Sequence, residues 1–493
     1  MEGFCVINRP EAKQQQEERP WKKQKGSGDV LEVSKPVVLP GDAPLVLCGE
    51  YVIPRSRLSP RFQKEQWFKS LTVVPKGMVI AGQKPEAFPM FTLTDTRLHV
   101  PRFLGLQWFA DVVVAVEDHR TLGDTWPASV QFKGTLSSSP EKPQRVAHDR
   151  CVTQLRTLGG ALLVLPCGFG KTVVSLAVAA TLRQKCLVLV TTVELARQWQ
   201  DRVQEFLGCS VGKIQQAVCD IDHPVVIGLL QTVRSRQPDL KSFGTCIVDE
   251  AHHVAAQAFS QVMPFIPCRY VLGLSATPNR KDGLKKVLLW LLGPVAFSTG
   301  RKENMVINVM RCVVTGGSNK VLTYKNGEVA RSKMITWLTE DDRRNRLIVH
   351  LMRVLLNKNP LRKVLVLTDR REHAQLLQSS WPENSGLMLG GMKEADIEVN
   401  KQLPVLISTY HYCSEGFDLP RLDTLFLVTP RSDIEQSVGR VLRKHVDKQT
   451  PLIVDFVDNF SVFEGQSEKR VKYFDKLGCT VKTYDEPQLL SLV

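Results

Sequence analysis

The sequence has no Cys-x-x-Cys pair. Its 12 cysteines are scattered from Cys5 to Cys479, several of them inside apolar runs such as Thr245-Cys246-Ile247-Val248. This spacing excludes a disulfide framework and the common zinc modules, and it reads as buried, reduced thiols in a reducing compartment. No stretch of about 18 apolar residues runs free of charge, so no membrane span is expected. The opening residues, MEGFCVINRP, lack the basic region and apolar core of a secretory signal. There is no short-period repeat, which excludes a solenoid. Acidic residues are scarce beside basic ones, 50 against 65, for a net charge of +15. Such a surplus favours a polyanionic partner, most simply nucleic acid. These absences predict an intracellular protein, nuclear or cytoplasmic, neither secreted nor membrane-bound.

What is present is ordinary globular material. Hydrophobic residues make up 43% and charged residues 23% of 493 positions. At about 150 residues per domain, that length allows about three domains. Residues 1–36 are polar and basic and read as a flexible arm. Residues 37–136 carry short apolar runs broken by proline and aromatics (PLVLCGEYVIP, FTLTDTRLHVPRFLG, DVVVAVE), which predicts a small, separate β-rich domain. From 137 to 300, five short apolar runs (ALLVLP, CLVLVT, PVVIGLL, TCIVDE, YVLGLSAT) alternate with amphipathic stretches. Runs buried on both faces and joined by helical crossovers imply a parallel α/β sheet. The same texture returns over 341–475 in LRKVLVLTD, PVLIST, DTLFLVTP and PLIVDFVD. The predicted class is therefore α/β, two tandem parallel-sheet domains behind the β-rich segment. Residues 301–340 read as a connector and 476–493 as a tail.

The chemistry-bearing residues sit where strands end. Pro166, Cys167, Gly168, Phe169, Gly170, Lys171 and Thr172 follow one strand and open a helix. Glycines let backbone N–H groups close on a phosphate chain, and the helix start adds its positive dipole end. Lys171 reaches the terminal phosphates and the Thr172 hydroxyl holds Mg²⁺. The adjacent carboxylates Asp249 and Glu250 close a second strand, Asp249 suiting the Mg²⁺ shell and Glu250 the attacking water. Ser275-Ala276-Thr277 closes a third. In the second half, Glu415-Gly416-Phe417-Asp418 follows a strand, and Gln436, Gly439, Arg440 and Arg443 lie on a helical stretch. The two arginines, three residues apart, share a face and can serve as arginine fingers.

In this order, PCGFGKT, DEAH, SAT, EGFD and Q-x-x-G-R-x-x-R over residues 144–475 resemble the superfamily 2 helicases. Within that superfamily the likeness is to XPB-type DNA helicases and the related helicases of large DNA viruses. It is carried by Pro166-Cys167, by the run from Leu272 to Gly283, and by Asp455, Asp458, Arg470 and Tyr473. The XPB-type Arg-Glu-Asp element stands here as Arg280-Lys281-Asp282. The resemblance implies an ATP- and Mg²⁺-dependent helicase or translocase, with ATP bound between the two RecA-like domains. It places Gln144 at the adenine, Asp418 at the ribose and Gln436 in the γ-phosphate network. Gln198, Trp199, Gln231, Thr232 and Thr409 fall on its strand-binding face. The chain ends soon after the second unit, without the added domains of DEAH-type RNA helicases. DNA rather than RNA is therefore the expected track, with transcription or replication machinery as the setting.

Overall fold

The computed structural model describes residues 43–59, 65–74, 87–109, 115–166, 168–251, 256–276, 285–299, 306–314, 321–324, 326–327, 329–414, 419, 421–441 and 448–491. The chain forms two compact units, Met1–Arg301 and Lys302–Val493. The basic arm predicted for 1–36 lies outside the described residues.

The first unit is built on an eight-stranded sheet in the order Val218–Asp220, Val211–Gln215, Val225–Leu229, Cys186–Val190, Thr245–Val248, Tyr270–Ser275, Gly160–Val164 and Val295–Ser298. All its pairings are parallel except the outermost, between Val211–Gln215 and Val218–Asp220. The five apolar runs are its central strands. Alternate residues feed two cores: Leu162, Leu187, Cys246 and Val248 on one face, and Leu163, Val188, Ile247 and Leu272 on the other. That double burial is why the runs read as continuous rather than alternating.

The β-rich segment is not packed as a separate domain. Its strands, Leu45–Leu47, Glu50–Pro54, Thr92–Leu93, Arg97–Pro101 and Val116–Asp118, form their own small sheet. Tyr51, Phe103 and Trp108, however, share one core with the large sheet. The PRFLG run, expected within a strand region, opens the helix Arg102–Trp108. Phe103 lies so close to Gly160 that an added methyl there would meet its ring at 2.1 Å. The buried Arg102 guanidinium donates to the carbonyls of Ile266 at 2.6 Å and Cys268 at 2.8 Å. Packing between segments so far apart in sequence leaves no local signature.

The second unit has seven parallel strands, ordered Ser385–Met388, Val405–Thr409, Val364–Thr368, Thr424–Leu427, Leu452–Asp458, Asn308–Val314 and Thr480–Tyr484. The predicted connector and tail are thus partly sheet: Asn308–Val314 and Thr480–Tyr484 are its last two strands. The connector also holds the helix Arg331–Glu340. Buried ion pairs tie the sheet to its helices. Asp455, fully buried, faces Arg470 at 2.7 Å and Arg311 at 3.6 Å. Asp458 takes two bonds from Arg344, at 3.0 and 2.9 Å.

His373 is 2% exposed and bonded at both ring nitrogens, to Thr368 Oγ1 and Asn345 Oδ1, each at 2.8 Å. Asn345 spends its amide N–H on the Thr339 carbonyl, so Nε2 of His373 carries the proton and Nδ1 accepts from Thr368. Burial, with Arg344 nearby, pushes its pKa down to about 3. The unfolded imidazole protonates near 6.5. Below about pH 6.5 the unfolded chain therefore binds a proton that the fold refuses until about pH 3. Stability falls as pH drops through that window, by about 2 kcal/mol at pH 5, at about 1.4 kcal/mol per pH unit. His373→Gln should flatten this acid limb; urea unfolding at pH 7 and pH 5 measures it, and equal pH slopes for parent and variant would contradict it.

Candidate nucleotide site

The phosphate-type loop leaves the wholly buried strand Gly160–Val164 and enters the helix Lys171–Leu182. Gly168 and Gly170 have φ of +81° and +94°, conformations open to glycine at little cost. Gly170 caps the helix, and its carbonyl accepts from Val174 N–H at 3.0 Å. The Lys171 ammonium donates to the Leu165 carbonyl at 3.3 Å and so lies over the loop that precedes it. Phe169 is buried. Cys167 lies outside the described residues.

Gln144, predicted at the adenine, holds this loop directly. Its Nε2 donates to the Phe169 carbonyl at 2.7 Å, and its Oε1 accepts from Ser137 N–H at 3.0 Å. A methyl added at Gly170 would come within 2.5 Å of Nε2. Gln144 is 5% exposed, and its bond to the Phe169 carbonyl is buried, that from Ser137 partly so.

Two strands away, at about 4.8 Å per strand, Thr245–Val248 delivers Asp249 to the same end of the sheet, with Tyr270–Ser275 between them. Asp249 is 6% exposed. Its Oδ1 accepts from Glu250 N–H at 2.8 Å and its Oδ2 from the Trp199 indole N–H at 2.7 Å. Burial, then the neighbouring Glu250, pushes its pKa up to about 6, against the Trp199 bond and the Lys171 charge. A buried carboxylate whose charge the described residues compensate only in part suits a divalent cation. Asp249 and the Thr172 hydroxyl are oxygen donors of the kind Mg²⁺ takes, so these residues fit that ion. Glu250 has φ of +45°, an uncommon conformation for a residue with a side chain and one that clusters at active sites. The next residue is anchored by Ala251 N–H to the Leu274 carbonyl at 2.9 Å, and the Ser275 carbonyl accepts from Leu165 N–H at 3.0 Å. The Ser275 strand thus ties the loop strand to the carboxylate segment.

The residues expected on a strand-binding face divide. Gln198 is half-buried and Gln231 exposed. The Thr232 hydroxyl accepts from Gln216 N–H at 3.3 Å. In the second unit, Thr409 is buried and its hydroxyl accepts from Tyr412 N–H at 3.3 Å, capping the helix Tyr410–Ser414. Trp199 departs from expectation: it is 2% exposed, and its one donor is spent on Asp249. The stripe of Trp199, Val203 and Leu207 at four-residue spacing, all buried on the helix Val193–Leu207, signals that burial in the sequence. Nothing local signals the bond to Asp249. The helix Glu435–Val441 carries the backbone of Gln436 and Arg440. Their side chains, and all of Asp418 and Arg443, lie outside the described residues.

Residues 137–280 match the family described as Type III restriction enzyme, res subunit. A protein of Acanthamoeba polyphaga mimivirus described as a putative ATP-dependent RNA helicase is 30% identical over 455 residues, spanning 88% of this chain and 85% of the viral one. The chain belongs to the superfamily 2 helicases. A putative helicase of Invertebrate iridescent virus 6 is 27% identical over 402 residues, covering 74% of this chain and 86% of its own. Among solved structures, S. cerevisiae Dbp5 bound to RNA and ADP BeF3 aligns at a TM-score of 0.51 and 15% identity, over 71% of this chain and 94% of that one; the likeness is one of fold. As a superfamily 2 helicase the protein acts on nucleic acid with ATP. Among the described residues no helix is long and apolar enough to cross a membrane.

The Gln144 geometry yields a prediction. Gln144→Ala removes a shielded bond worth about 1 kcal/mol to the loop, so affinity for a fluorescent ATP analogue should fall about fivefold to tenfold while the protein stays folded. Unchanged affinity in equilibrium titration would detach Gln144 from the nucleotide site.

Proposed function

We propose that this helicase is a motor on DNA, driven by ATP hydrolysis at the first unit's glycine loop. One observation carries the reading. A buried carboxylate, Asp249, with its strained neighbour Glu250, stands two strands from a glycine-lined loop that ends in Lys171. In this reading, Lys171 and the loop N–H groups hold the phosphate chain. Thr172 and Asp249 hold Mg²⁺, which when bound neutralises charge developing on the phosphate oxygens. Glu250 orients the attacking water and takes its proton. The family resemblance gives Asp418 to the ribose, and Gln436, Arg440 and Arg443 to the γ-phosphate. Arginines of that kind are worth about 10³–10⁵ in rate. Gln198, Gln231, Thr232 and Thr409 are assigned to the nucleic-acid track, held mainly by charge, consistent with the +15 surplus.

The preference for DNA comes from the XPB-type motifs. The competing reading, an RNA helicase, is favoured by the descriptions of the mimivirus protein and of an African swine fever virus relative as putative ATP-dependent RNA helicases. ATPase rates with single-stranded DNA, duplex DNA and RNA of matched length decide between them, with Lys171→Ala as the inactive control. Stimulation at least severalfold greater by DNA is expected; greater stimulation by RNA would reverse the assignment.

A further inference from the structure

The assignment of Asp249 to the metal leaves open what sets its orientation. A lone carboxylate at a strand end rotates about its Cβ–Cγ bond. Here one oxygen is held by the adjacent backbone, Glu250 N–H to Oδ1 at 2.8 Å, and the other by a side chain 50 residues away, Trp199 Nε1 to Oδ2 at 2.7 Å. That donor is itself fixed. Trp199 sits at mid-helix in Val193–Leu207, packed into the core with Val203 and Leu207. The helix start is tied by the Thr192 hydroxyl, which accepts from Leu195 N–H at 3.3 Å. Phenylalanine or leucine would supply apolar bulk at this core position, at the cost of some packing. What tryptophan adds is a single N–H that can donate and cannot accept, and here it is spent on the carboxylate.

We propose that Trp199 is a positioning residue for Asp249: its indole N–H fixes the carboxylate in the one orientation that receives Mg²⁺. The inference rests on the reading of Asp249 as the metal carboxylate. Hydrogen-bond partners of metal-ligating carboxylates are typically worth about 10–100-fold in metal affinity or activity.

The test uses the full chain in four forms: parent, Trp199→Phe, Val203→Ala and Asp249→Asn. Trp199→Phe keeps an aromatic side chain and removes the donor. Val203→Ala hollows the same helix face, four residues on, without touching Asp249. The first readout is the affinity of a non-hydrolysable ATP analogue in Mg²⁺ and in EDTA. In Trp199→Phe the gain in affinity on adding Mg²⁺ should shrink about tenfold, with the EDTA value unmoved. The second is ATPase activity: half-saturating Mg²⁺ should rise and kcat fall, each by about 10-fold or more. Val203→Ala should lower the melting temperature and move neither readout. If Trp199→Phe matches the parent or Val203→Ala in both, the position is merely core and the proposal is overturned. Asp249→Asn separates the two levels: if it too keeps its Mg²⁺ dependence, the reading of Asp249 fails, whereas a dead Asp249→Asn beside an unaffected Trp199→Phe sinks only the role of Trp199.

Discussion

The cost of burying the Asp249 carboxylate is the constraint around which the first unit is arranged. Removing such a charge from water costs several kcal/mol even after the protein relaxes, and an adjacent Glu250 adds to it. Among the described residues the charge is offset only in part, through one backbone N–H, one indole N–H and the Lys171 ammonium. Each helper is held by something larger. Trp199 is held by a helix core, Lys171 by the loop and its helix, and the carboxylate segment by a strand buried along its whole length. An apolar sheet holds a partly compensated charge in place because packing on both faces leaves the strand ends nowhere to relax. The residual deficit is what makes the position fit for a metal ion.

The second unit also buries charge, but in pairs that close on themselves. Asp455 is met by Arg470 and Arg311, and Asp458 by Arg344. Arg470 also donates to the carbonyls of Arg431 and Phe456, at 2.9 and 3.2 Å. The two carboxylates lie on the strand Leu452–Asp458, Arg311 on the neighbouring strand Asn308–Val314, Arg470 on the helix Val462–Lys476 and Arg344 on the helix Asp342–Lys358. Their part is to fix those two helices on the sheet. Asp455, Asp458 and Arg470 are among the residues that gave the sequence its XPB-type likeness, and the fold supplies the physical reason for that combination.

Legibility in the sequence followed the range of the interaction. The central strands were readable because burial on both faces writes an uninterrupted apolar run, as in Cys186–Val190 and Val364–Thr368. The glycine loop and the carboxylate pair were readable because their chemistry needs particular residues side by side. Asn308–Val314 and Thr480–Tyr484 were not, since edge-side strands with mixed burial resemble loop sequence. The shared core of the β-rich segment depends on Phe103 against Gly160, a contact with no trace in either neighbourhood. The same holds for Trp199 and Asp249: the helical stripe discloses that the tryptophan is buried, and only the fold discloses what its N–H meets. The left-handed backbone of Glu250 likewise belongs to tertiary structure, because the isolated residue disfavours it.

In the proposed mechanism the carboxylate end of the Thr245–Val248 strand performs the hydrolysis for which the glycine loop binds the nucleotide. Glu250→Gln tests it most directly, since the change keeps size and removes the base. Nucleotide affinity and single-turnover hydrolysis are measured on the same preparation with saturating nucleic acid. ATP affinity should stay close to the parent's, with hydrolysis slowed by about 10²-fold or more, in the range typical of a lost general base. Hydrolysis within a few-fold of the parent would contradict it.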